Sequence, residues 1–213
     1  MRKLTALVLG IAVVGLGAFV AGATGGSPLS SCQGLTPTMV GTQGDDVING
    51  TAGADVIAAG AGNDQVWGHD GNDVICGGPG NDTLQGGAGT DTLWGGNGSD
   101  LIDGGLLGCC SAGDTGDDVL HGGQGADVLH ASDFGNNTLH GEQGADELHG
   151  WQGNDTLSGG NGPDVLESFT GNDTLSGDNG SDRLDGGAGT DMLAGGRGID
   201  TCLNGEANTG CEA

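Results

Sequence analysis

The chain has 213 residues, 51 of them glycine, and 29 acids against four Lys+Arg give a net charge of −25. With aromatic residues at 3%, an ordinary globular core is excluded; such a chain stays unfolded or folds as a repetitive array around a ligand. Nucleic acid and anionic membrane surfaces are excluded as partners, because phosphate recognition needs clustered Lys and Arg.

Met1-Arg2-Lys3 is a short basic start, Leu4 to Val20 is apolar, and Ala21-Gly22-Ala23 fits a small-x-small cleavage site. Residues 1–23 therefore read as an export signal cut after Ala23. An uncleaved anchor is the alternative, since 17 apolar residues nearly span a bilayer. Leu29-Ser30-Ser31-Cys32 resembles a bacterial lipobox, which gives a third, lipid-anchored reading. All three place the bulk of the chain outside the cytoplasm, secreted or at a cell surface. Residues 24–40 form a lead-in, or cap. Six cysteines (Cys32, Cys76, Cys109, Cys110, Cys202, Cys211) suit an oxidising compartment. A Cys202–Cys211 bridge is expected to close the tail, 204–213, and the pairing of the other four stays open.

From residue 41 to 203 the chain repeats every nine residues. Setting the acid at the sixth position gives Asp46, Asp55, Asp64, Asp73, Asp82, Asp91 and Asp100, then Asp118 and Asp127, then Asp146, Asp155, Asp164, Asp173, Asp182, Asp191 and Asp200. The fourth position of these units is glycine, and the eighth is Ile, Leu or Val except at Cys202. Two units are faulty. Residues 104–112 put Cys109 where the acid belongs, and residues 131–140 carry one extra residue and offer Asn137. Eighteen units, both faults included, fill the array.

The first five positions of a unit, rich in glycine, allow tight turns. The three residues after the acid, such as Thr83-Leu84-Gln85, predict a short strand with its aliphatic turned inward. A single aliphatic per unit makes no core alone; stacked units make a continuous ladder. Stacking also creates a difficulty. Strands about 4.8 Å apart would bring the aspartates to that spacing, at a cost on the order of 3 kcal/mol per adjacent pair. Each aliphatic contributes only about 1.5–3 kcal/mol. A divalent cation between the loops reverses the balance, and calcium, with six to eight oxygen ligands and loose geometry, suits carboxylates and turn carbonyls better than magnesium.

The unit G-G-x-G-x-D-x-(aliphatic)-x, clean in Gly77-Gly78-Pro79-Gly80-Asn81-Asp82, Gly86-Gly87-Ala88-Gly89-Thr90-Asp91 and Gly122-Gly123-Gln124-Gly125-Ala126-Asp127, resembles the haemolysin-type calcium-binding nonapeptide of the RTX family. The resemblance implies an all-β, right-handed parallel β-roll with two units per turn and calcium bridging loops stacked along each edge. Carried onto this chain, it puts Asp46, Asp64, Asp82, Asp100, Asp118, Asn137, Asp155, Asp173 and Asp191 on one edge. The other takes Asp55, Asp73, Asp91, Cys109, Asp127, Asp146, Asp164, Asp182 and Asp200. Each fault spoils two gaps, which leaves about 12 calcium ions held between aspartates. The family's usual attached protease, lipase or pore-forming domain has no counterpart in this sequence, so none of those activities carries over.

His121, His130, His140 and His149 all sit at the ninth position. The two-unit turn stacks His121 on His140 and His130 on His149, on opposite faces. Such pairs have the ligand chemistry for zinc or nickel, although exposed polar residues inherited with the repeat are the simpler reading. Trp67 and Trp94 face opposite sides, as carbohydrate platforms or plain surface packing. No catalytic constellation emerges. The expectation is a secreted calcium-folded structural or adhesion module with cell-surface or matrix polysaccharide as a candidate partner. The alternative is a polysaccharide-modifying enzyme of lyase or epimerase type.

Overall fold

A computed structural model describes residues 31–105, 115–131 and 134–211. The segment expected to act as an export signal and the pair Cys109 and Cys110 lie outside the described residues. Among the described residues all regular structure is strand. Ten strands form one parallel sheet and nine another, with successive strands alternating between them over most of the chain, and Thr170–Gly171 pairs with Ala188–Gly189 in a small third sheet. Two units therefore make one turn of a β-solenoid of about nine turns.

The core lies between the sheets and is one side chain thick. Leu84 pairs with Val66 and Ile102 in one sheet, and Leu157 pairs with Leu139 and Leu175 in the other. The ladder from Ile57 to Leu193 is fully buried. Many strands are longer than the three residues expected: Thr92–Asn97 continues through Gly95, Gly96 and Asn97, so the first three positions of a unit often extend the strand before it. The chain turns at the fourth position. Gly80 has φ 143°, and a Cβ there would lie 1.8 Å from the carbonyl oxygen of Gly62 in the previous coil. Only glycine meets both demands.

The strands before the faulty stretch at 104–112 pair directly with those after it, Thr92–Asn97 with Val119–Gln124 and Leu101–Asp103 with Val128–His130. The backbone N–H of Asp91 bonds to Asp118 across 27 residues instead of 18. Gly104 takes the first position of the unit whose acid is Asp118, since a Cβ on it would lie 2.5 Å from Asp118 Oδ2. Gly104-Gly105 thus continues at Thr115-Gly116-Asp117-Asp118, which reads as an uninterrupted repeat once residues 106–114 are set aside. The array holds seventeen units, one of them interrupted. In the other faulty stretch the extra residue is accommodated without loss of register, for His130 still pairs with His149 and His121 with His140.

A disulfide ties down each end of the array. Cys32 is bridged to Cys76, tying the lead-in to the second coil of its sheet, and Cys202 is bridged to Cys211 as the tail spacing suggests. Strand Ala207–Thr209 adds to Met192–Ala194 as the last rung.

Candidate metal centres

Each repeat aspartate leaves its turn just before a strand, so the strand register stacks the acids in two columns. One column runs Asp46, Asp64, Asp82, Asp100, Asp127, Asp146, Asp164, Asp182, Asp200, each N–H donating to Oδ1 of the next at 2.8–3.0 Å. The other runs Asp55, Asp73, Asp91, Asp118, Asn137, Asp155, Asp173, Asp191 in the same way. This corrects the edges drawn from the sequence. Asp100 stacks on Asp127 and not on Asp118, and Asp91 stacks on Asp118 and not on Cys109. All downstream acids change edge, because nine inserted residues shift parity by one unit while leaving the nine-residue count intact.

The stacking uses only half of each carboxylate. Oδ1 accepts the N–H of the preceding coil, while Oδ2 packs over the first-position glycine of its own unit: a Cβ on Gly77 would lie 2.3 Å from Asp82 Oδ2. Among the described residues, Oδ2 of Asp64, Asp73, Asp82, Asp100, Asp127, Asp146, Asp164, Asp182, Asp191 and Asp200 is buried and accepts no hydrogen bond. A buried carboxylate oxygen without a partner is costly unless a proton or a cation reaches it. Burial accordingly pushes Asp100, Asp155 and Asp164 up to about 7 and Asp82 and Asp127 up to about 6. The N–H bond opposes that shift, and the neighbouring acids of the column reinforce it. A hard cation with several oxygen ligands fits this donor set, since the buried Oδ2 atoms are anionic oxygens in register beside turn carbonyls.

Three residues that sequence reasoning missed terminate the columns. The hydroxyls and N–H groups of Thr42 and Thr51 donate to Oδ2 of Asp46 and Asp55. Glu206 accepts the N–H of Asp191 at the far end. A signal for the first two was present, since the two opening units carry threonine at a second position that is most often glycine. Glu206 lies outside the nine-residue phase and gave none.

The histidines stack as the register predicts, His121 on His140 with centroids 4.9 Å apart and His130 on His149 at 5.0 Å. Their nitrogens turn to carboxylates, His121 to Glu142 and His149 to Glu147. Among the described residues no three His, Cys, Asp or Glu side chains are grouped to hold a transition metal. Trp67 and Trp94 lie on different sheets, and Trp94 stacks on His121 at 5.3 Å because the insertion makes them neighbours.

Fold and acid columns together define a class: parallel β-solenoids whose edges gather carboxylates in numbers that need cations. The family model of the RTX calcium-binding nonapeptide repeat (4 copies) matches residues 40–75, 77–106, 112–134, 132–166 and 168–202. The chain belongs to that family and is a calcium-binding repeat protein. A search of curated proteins finds no match.

Proposed function

We propose that this protein is an extracellular structural or adhesion module that folds when calcium enters the gaps between successive aspartates of its two columns. Asp46, Asp64, Asp82, Asp100, Asp127, Asp146, Asp164, Asp182 and Asp200 line one set of sites. Asp55, Asp73, Asp91, Asp118, Asp155, Asp173 and Asp191 line the other. The first column offers eight gaps with aspartate on both sides; Asn137 leaves five such gaps in the second, so the capacity is about thirteen ions. Residues 1–23 act as the export signal, 24–40 as the lead-in, 41–203 as the roll and 204–213 as the closing tail.

The observation that carries this reading is the row of buried Oδ2 atoms without a hydrogen-bond partner. Among the described residues the Lys and Arg side chains are Arg183, tied to Glu167 and Asp185 on the outer face, and Arg197, which is exposed, so neither neutralises the buried columns. The scarcity of Lys and Arg argues against a lyase or epimerase, which needs cations beside its acids to offset developing negative charge. Folding is then coupled to metal binding. Far-ultraviolet circular dichroism during EGTA and calcium titration tests it: a disordered spectrum should become a β spectrum, and an ordered spectrum in chelator sinks the proposal.

A further inference from the structure

The second position of a unit adopts a left-handed backbone and is glycine in most coils, as at Gly87, Gly96 and Gly123. His69, Glu142 and Asp178 also replace that glycine with left-handed φ, but only in two consecutive coils are both replacements large aromatics, Trp151 at φ 66° and Phe169 at φ 64°. Bulky side chains are rare outliers in this region, and such strain gathers at functional sites. The two rings stack in parallel, 4.7 Å apart with 4° between planes, and are 39% and 37% exposed. The next coil carries Gly187 at the same position, with no side chain to cover the far face of Phe169. Both rings touch His149. A polar row borders them, in which Glu147 and Glu167 flank His149 and Arg183 pairs with Glu167. The residues that follow the rings, Gln152 and Thr170, line an open groove of about 390 Å³ together with Phe134 and Asn154.

We infer that this outer face is a binding site for a neutral polysaccharide. An open aromatic face takes the apolar C–H face of a sugar ring, and carboxylates, amides and hydroxyls beside it match the hydroxyl groups on the sugar's rim. The local charge, Glu147, Glu167 and Asp185 against Arg183, together with the chain's −25, disfavours an anionic polymer. A protein partner of useful affinity would bury about 1,200–2,000 Å², far more than two partly exposed rings ringed by acids supply. The inference rests on the calcium-folded roll, because calcium sets the coil register that stacks the rings.

The test is native affinity electrophoresis of the calcium-loaded full chain through gels containing a β-glucan, a galactomannan or polygalacturonate, with circular dichroism on the same samples. At least one neutral polymer should retard the protein. The Trp151→Gly/Phe169→Gly variant restores the residue the backbone prefers, so it should fold at the same or lower calcium and lose at least tenfold in affinity. No retardation by either neutral polymer, equal retardation of the variant, or retardation by polygalacturonate alone would overturn the site. Absence of a calcium-induced β spectrum would instead overturn the proposed function beneath it.

Discussion

Deleting residues 106–114 is the sharpest perturbation of this fold, because it removes nine residues yet should change no rung. The junction would read Gly104-Gly105-Thr115-Gly116-Asp117-Asp118, a full repeat, and Asp91 would meet Asp118 at the ordinary spacing of 18 residues seen elsewhere in the column. Closing a loop costs roughly (3/2)RT ln n, so sparing nine residues stabilises the roll by about 2 kcal/mol. For a chain this long that is about 4–8 °C in melting temperature at saturating calcium. If some thirteen ions bind together, the same energy lowers the calcium midpoint only about 1.3-fold. Isothermal titration should return equal calcium equivalents for the deletion variant and the parent. A gain of equivalents would refute the reasoning, since it would mean that the Cys109 stretch forms a coil in the parent and spoils two gaps. A loss of β signal would refute it as well.

Three further outcomes follow from the columns and the ladder. Asn137→Asp keeps the oxygen that accepts the Asp118 N–H and should raise the calcium number by two; at calcium a hundredfold above Kd each added site contributes about 2.7 kcal/mol, readable by titration calorimetry and melting. Leu157→Ala, in the middle of the buried ladder, should cost about 2–5 kcal/mol at saturating calcium, and Leu84→Ala a similar amount, since it too lies fully buried between two aliphatic rungs. The pH dependence has a definite sign. Asp82, Asp100, Asp127, Asp155 and Asp164 are raised to about 6 or 7 in the metal-free coil, so their contribution to metal-free folding is complete below the unfolded value near 4 and lost as pH rises through 6–7. Calcium must displace these protons, so the calcium midpoint should climb as pH falls from 8 to 6, with proton release seen in a pH-stat; a midpoint independent of pH over that range would contradict it.

Most of the fold was legible because its period is short and its residue choices are severe. The acid, the aliphatic two residues later and the glycine before them fixed strand, core and turn, and the alternation of two units per coil correctly stacked His121 on His140. What misled was a coincidence of length. An insertion as long as one repeat keeps every later residue in phase, so counting alone could not tell a defective coil from an interrupted unit. The clue was chemical: residues 104–105 and 115–118 complete one another, while Cys109 has nothing in common with the acid it was aligned to. The Cys32–Cys76 bridge was hidden for a different reason, since it depends on how the lead-in folds back, a long-range matter outside the repeat. The stacking of Trp151 on Phe169, two units apart, follows from the same two-unit register, and only the left-handed backbone at their position was silent, since the sequence marks it by no more than a preference for glycine.

The finished ends of the two columns carry a consequence for how far the architecture extends. A stack of identical rungs is a template that invites further copies at either face. Here threonine hydroxyls occupy the first carboxylates, a glutamate takes the last free amide of its column, and a cystine-clamped strand lies across the exit. Many of the groups to which a further copy would pair are thereby taken up within the chain, which blunts its tendency to seed a fibre.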